Sequence, residues 1–230
     1  MFLAELNEGE TRLSGREAQH LVHVLRVQPG VAVLAFDGKG YEARGKVVSV
    51  EGSSLILDLS TATASPVENP VDISLAVALL KGDKLSGVVR QATELGVTTV
   101  QLFHSRHSDV REISKNKLGR LRRVATEAAK QSGRSVVPDI LDPIKLGDAM
   151  LNEFTLCAHP YASATLNDLL SQHKPAQVTL LTGPEGGFHE NEIDMLREKG
   201  ANSVSLGPRI LRAETAPVAL LAALTLPEGK

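Results

Sequence analysis

A single cysteine, Cys157, leaves the chain with no partner for an intrachain disulfide and too few thiolates for a Cys-rich zinc site. It reads as a small buried hydrophobe, the commoner use of a lone cysteine, or as a nucleophile. There are seven histidines but no HxxxH pair, so the pattern points to no metal. Long apolar runs are missing too. The best, residues 218–226, is well short of the roughly 18 to 20 residues a membrane span needs, and reads as a buried helix. The opening residues Met1, Phe2, Leu3, Ala4 and Glu5 lack the basic stretch of a signal peptide, so cytoplasm is the expected location. No Walker loop and no GxGxxG motif occurs.

What is present is ordinary globular composition, 42% hydrophobic and 23% charged over 230 residues. That is room for one large domain, or for one of typical size and a smaller one, the division expected here. The net charge of −2 says nothing for nucleic acid, but its distribution does. Residues 104–134 hold nine Lys/Arg (106, 111, 115, 117, 120, 122, 123, 130, 134) against three acids (109, 112, 127), a local +6 in a chain otherwise at −8. Such a segment suits a polyanion, or is simply a solvated helix face. The first 70 residues are acidic, six Lys/Arg against nine Asp/Glu, so net charge gives no support to RNA binding there.

Residues 1 to about 64 read as short strands broken by turns: 31–36, 41–50 and 54–59, with Asp37-Gly38 as a hairpin signal. A short helical segment at 20–26 precedes them, and together they suggest a small β-barrel. Residues 61–70, small, polar and proline-bearing, read as a linker. Beyond it, strands at 71–80, 97–103, 154–158, 178–181 and 203–206 alternate with helices at 85–95, 118–132 and 191–199. This is the pattern of a mostly parallel sheet covered on both faces, an α/β domain. The expected division is 1–66 and 67–230.

Two stretches carry chemistry. Leu180-Leu181-Thr182-Gly183-Pro184-Glu185-Gly186-Gly187-Phe188 runs from an apolar strand into a glycine-rich loop, where an α/β sheet places its ligands. Glu185 would repel a phosphate. The loop suits an uncharged or cationic ligand, whose hydroxyls, ring or sulfonium meet backbone groups and a carboxylate. S-adenosylmethionine (SAM) has all of these groups. Alternatively the loop is only a tight turn with a capping Glu. The second stretch is Leu206-Gly207-Pro208-Arg209-Ile210-Leu211-Arg212-Ala213-Glu214-Thr215-Ala216-Pro217, a long turn from strand to apolar helix. It is either functional or a capped helix start with surface arginines.

These motifs resemble the ribosomal RNA small subunit methyltransferase E family of the SPOUT superfamily. Three further blocks extend the likeness: His20-Leu21-x-x-Val24-Leu25-Arg26; Glu94-Leu95-Gly96 with Arg106 and Glu127-Ala128-Ala129-Lys130-Gln131-Ser132-Gly133-Arg134; and His159-Pro160. Gln91, His107 and Leu121 depart from the family's wording. The resemblance implies an N-terminal PUA-like barrel for RNA, a C-terminal SPOUT domain with a trefoil knot, and a homodimer with a shared active site. It also implies methylation at N3 of a uridine in 16S ribosomal RNA, with the small ribosomal subunit as partner. The expected SAM-binding residues are His159, Leu181, Thr182, Gly183, Pro184, Glu185, Gly187, Leu206, Gly207, Ile210, Leu211, Thr215 and Ala216. Arg212, Glu214 and Arg106 are the catalytic candidates, and Arg26, Arg106, Arg120, Arg123, Gln131 and Arg134 the RNA contacts. Each arginine could instead belong to a structural ion pair. The alternatives are an RNA-binding protein with a decayed enzyme domain, or a related enzyme acting on tRNA or a ribose 2′-oxygen. The complete loop and Arg-x-Glu-Thr stretch weigh against the first, and the Leu-Gly-Pro-Arg-Ile-Leu-Arg wording against the second.

Overall fold

The computed structural model describes residues 1–149, 151–170 and 175–225. Two compact units divide the chain: Met1–Glu68 with Ala129–Val137, and Asn69–Ala128 with Pro138–Lys230.

In the first unit, β1 (Gly9–Leu13), β2 (Ala32–Phe36), β3 (Tyr41–Glu51) and β4 (Ser54–Leu59) form an antiparallel sheet in the order β1-β4-β3-β2, with β5 (Thr63–Ala64) beside β3. Period-2 patterning sets its inner face: Leu55, Leu57 and Leu59 are buried, and Ser54, Ile56 and Asp58 are partly exposed. They pack with Leu13, Ala35, Ala43 and Val47. No ladder joins β1 to β2 among the described residues, but the segment ahead of β1 bridges to β2 in the sense of the expected barrel. There the Leu3 N–H donates to the Phe36 carbonyl at 2.9 Å and the Phe36 N–H to the Met1 carbonyl at 3.0 Å. The helical segment begins earlier than expected, as α1 (Arg16–Gln19), and continues as a π-helical turn, His20–Val24. β5 lies within the stretch read as a linker.

The second unit carries β6 (Asp72–Ala78), α2 (Lys84–Glu94), β7 (Thr99–His104), most of α3 (Lys115–Ser132), β8 (Asp139–Lys145), β9 (Thr155–Ala158), α4 (Leu166–Leu170), β10 (Gln177–Thr182), α5 (Glu190–Glu198), β11 (Ala201–Val204) and α6 (Ala216–Thr225). Its six strands are parallel, in the order β11-β9-β10-β6-β7-β8. Ile73, Leu75, Val77, Val178, Leu180 and Leu181 are wholly buried, as in a sheet covered on both faces. The chain builds β6, β7 and β8 outward, then returns to the other side of β6, where β10 fits between β6 and β9. The loops leaving β9, β10 and β11 therefore start side by side.

β8 was not anticipated. Its sequence DILDPIK is polar for a strand, as an edge position allows, and Pro143 falls where the pairing with β7 skips a residue. There the Arg122 Nε–H donates to the Ile140 carbonyl at 3.1 Å. Helix α6 buries Pro217, Leu220 and Leu221 and packs on α2, β9 and β10. Leu226, expected as its last residue, lies outside the described residues. No helix among them is long and apolar enough to cross a membrane.

Candidate functional site

A cavity of about 500 Å³ lies where the chain leaves β9, β10 and β11. Of the residues expected to bind the cofactor, His159, Gly183, Pro184, Glu185, Gly187, Leu206, Gly207, Ile210, Leu211 and Ala216 line it, joined by Arg212 and Glu214. Leu181 and Thr182 do not: they are the last residues of β10, and sheet packing buries them behind the loop. Thr215 is exposed and also outside the lining.

Close approach explains the glycines. A Cβ on Gly186 would stand 2.9 Å from the His107 Cβ, so the β10 loop could not lie against the loop after β7. Gly187 has φ +71°, and its N–H donates to the Pro184 carbonyl at 2.9 Å, closing a turn that an L side chain would strain. Phe188 then turns inward to stack on Phe103, with ring centroids 6.2 Å apart.

The charged centre was only half visible in the sequence. Lys84, the first residue of α2, brings its Nζ 2.9 Å from Glu185 Oε1 and 3.4 Å from Glu214 Oε2. Glu185 Oε1 also accepts the Lys81 N–H at 3.2 Å. Glu214 Oε2 is buried without completing a hydrogen bond. The Glu185 hydrogen bond is the main reason the Lys84 pKa lies above its ordinary value. Burial works against the Glu185 carboxylate, but the hydrogen bonds from Lys84, its own backbone N–H and the Lys81 N–H outweigh it, holding its pKa low. Glu185 is therefore not an isolated carboxylate awaiting a cation, as its loop position suggested. The available signal for Lys84 was its place at a helix start just after the strand beside β10.

Glu192 was also missed. Its carboxylate accepts the His189 N–H (2.9 Å) in a capping box at the start of α5, the Ser105 hydroxyl (3.0 Å) and the Arg106 N–H (2.9 Å). It ties the loop carrying Arg106 to the end of the glycine loop. The His-x-x-Glu spacing at 189–192 was its signal.

The expected RNA residues scatter. Arg106 and Arg123 are exposed, with no carboxylate partner among the described residues; Arg120 is exposed but pairs with Asp83 at 3.1 Å. Gln131 and Arg26 are exposed in the first unit, and Arg26 stands after the π-helical turn at φ 51°, an uncommon conformation outside glycine. Arg134 is only 5% exposed: its guanidinium meets Glu68 Oε2 at 2.8 and 3.1 Å, while Glu68 Oε1 accepts the N–H groups of Ser135 and Val136. That is the structural ion pair the sequence left open, and it puts this side chain out of reach of a polyanion. Lys130 pairs with Glu17 and Arg122 with Asp142, so carboxylates from outside the segment temper its +6.

Comparison with known proteins agrees with this layout. Residues 67–225 match the family model described as an RNA methyltransferase domain, and residues 13–60 the one described as an RNA methyltransferase PUA domain. A ribosomal RNA small subunit methyltransferase E from Synechocystis sp. is 36% identical over 226 residues, covering 95% of this chain and 73% of that protein. Its namesake from Bacillus subtilis is 30% identical over 226 residues, covering 93% and 88%. The crystal structure of a ribosomal RNA small subunit methyltransferase E from Neisseria gonorrhoeae, bound to S-adenosyl methionine, superposes with a TM-score of 0.89 at 32% identity, covering 97% of this chain and 94% of that one. With likeness running through both units and over nearly the whole length, the chain belongs to the ribosomal RNA small subunit methyltransferase E family.

Proposed function

We propose that this protein methylates small-subunit ribosomal RNA with SAM as donor, and that the acceptor is N3 of a uridine in 16S RNA. The observation that carries the reading is the cavity formed where three parallel strands end, within the RNA methyltransferase domain. Its residues suit SAM. About 500 Å³ falls within the usual range of roughly 300 to 1,000 Å³ for small-molecule sites. Leu206, Ile210 and Leu211 offer apolar surface to a planar ring, and Gly183 and Gly187 leave backbone groups open to a ribose. The cluster of Lys84, Glu185 and Glu214 carries one negative charge at its own wall of the cavity, the side on which a cationic centre is favoured, while Arg209 and Arg212 leave the rest of the lining positive. His159, Pro184, Gly207 and Ala216 complete the walls, while Leu181 and Thr182 set the direction in which the loop departs and Thr215 starts α6 from outside.

When bound, SAM supplies an electrophilic methyl group. The protein's task is alignment in line with the incoming nucleophile. Uridine N3 carries a proton and attacks only as it is lost, leaving charge spread over O2 and O4. Arg212, exposed on the cavity lining, donates hydrogen bonds to that charge, and Glu214 beside it accepts the proton. Arg106, on the loop clamped by Glu192, approaches the nucleotide from the β7 side. Arg26, Arg120, Arg123 and Gln131 meet RNA with exposed side chains; Arg134 contributes only through the backbone it fixes. The trefoil knot, the homodimer, the assembled small subunit as substrate and a cytoplasmic setting belong to the same reading. The insertion of β10 between β6 and β9 supports the first of these and the partly open face of α6 the second.

Mass-spectrometric mapping of 16S RNA from cells with and without the gene tests this. N3-methyluridine at one position should depend on the gene. Loss of a tRNA or ribose methylation instead would overturn the substrate, and an unchanged modification profile would favour a binding protein without activity.

A further inference from the structure

Lys84 joins three loops that follow three different strands. It opens α2, just beyond β6; Glu185 lies in the loop after β10; Glu214 lies in the turn after β11. Its side chain is 31% exposed, and both carboxylates it reaches are similarly sheltered, so solvent screens the contacts less than on an open surface. Glu185 is secured twice, by Lys84 Nζ and by the Lys81 N–H, near the start of α2, where the helix dipole favours a negative charge. Glu214 is secured differently. Its Oε2 is buried, completes no hydrogen bond, and has the Lys84 ammonium at 3.4 Å.

We infer that Lys84 is a positioning residue for methyl transfer, using Glu185 as its anchor to hold the Glu214 carboxylate at the cavity wall. The inference rests on the reading of the cavity as the SAM site and of Glu214 as the proton acceptor. An ammonium on a four-carbon stem suits the task, since its three donors serve two carboxylates without a fixed plane. Removing the ammonium leaves Glu214 Oε2 buried with no counter-charge, and the carboxylate moves or draws in water. The bound methyl donor can then stay in place while the proton acceptor is out of line, so the loss falls on the rate more than on binding.

The test measures SAM affinity by calorimetry and the single-turnover rate on small ribosomal subunits at saturating SAM. Lys84→Met should lower the rate roughly ten- to a hundredfold, the scale on which a misplaced group slows a reaction, with SAM affinity changed far less. Lys84→Arg, which keeps the charge, should restore most of the rate. In a Glu214→Gln background Lys84→Met should add little, because the residue it acts through is already altered. Lys84→Gln replaces the Met variant if that one does not fold, and failure of both to fold would make Lys84 a purely structural ion-pair member. A wild-type rate in Lys84→Met, a loss confined to SAM affinity, or an equal drop in the Glu214→Gln background would each overturn the inference alone. A wild-type protein that binds no SAM would overturn the reading beneath it.

Discussion

Arg212 is exposed and lines the cavity, so shortening it removes a donor without opening a core. Arg212→Ala should therefore fold normally, keep its affinity for SAM, and lose roughly 10² to 10³ in kcat, the cost of deleting one preorganised donor; wild-type steady-state kinetics would exclude it from the chemical step. Glu214→Gln should be slowed as well, and partly rescued at higher pH, where uridine gives up its own proton more readily. Cys157 lies at the opposite extreme, 1% exposed in the domain core, where burial pushes its thiol up to about 12. The unfolded chain ionises this thiol near 9.0, below the folded value, so its contribution to stability is complete below that pH and is lost as pH rises toward about 12. Denaturation of wild type and Cys157→Ala across that window should show the steeper alkaline fall in wild type. A thiol reagent at neutral pH should label the protein only on unfolding.

At the scale of elements, α3 separates charge display from charge pairing. Of the stripe that helical spacing predicts, Leu118, Leu121, Val124, Ala125 and Ala128, all but the half-buried Val124 are buried, but Arg120 reaches Asp83, next to Lys84, and reversing it would disturb the cavity along with any RNA contact. Arg123→Glu is the cleaner variant: it should weaken RNA binding, flatten the salt dependence of affinity and leave SAM calorimetry unchanged. Unaltered RNA binding at physiological salt would make the helix face merely solvated. In the glycine loop, a Cβ at Gly187 meets no neighbour within 4 Å, so the damage of Gly187→Val comes from forcing a branched side chain to φ +71° and from occupying the cavity wall. A stability loss of about 1 to 2 kcal/mol with abolished SAM binding is expected; undiminished binding would remove the loop from the site. The strands with apolar runs, β6, β7 and β10, were readable because burial on both faces demands such runs. β8 was not, since an edge strand with Pro143 carries no such demand, and β1 was hidden because Gly9, Glu10 and Arg12 leave it without an apolar alternation. The glycine loop and the 206–216 turn were legible as local sequence, whereas Lys84 and Glu185 lie 101 residues apart and meet only because β6 and β10 pair in register.

At the scale of the whole molecule, the proposed homodimer needs an apolar surface, and α6 offers one: Val218, Ala219, Ala222 and Leu224 remain partly exposed while Pro217, Leu220 and Leu221 face inward. Leu224→Asp should yield a single-chain mass in sedimentation and lose turnover, with its fold intact by circular dichroism. A wild-type protein sedimenting as one chain during turnover would refute the dimer. The way copies meet is constrained from another side by β8. Pro143 has no N–H to offer a neighbouring strand, the skipped residue breaks the spacing of the ladder, and Arg122 already takes the Ile140 carbonyl. Strand addition is thereby blocked at this margin of the sheet, and the opposite margin, β11, is four residues long. Neither edge invites the runaway stacking that open sheets risk, so assembly falls to side chains, and a contact made of side chains can be made and undone without unravelling the fold.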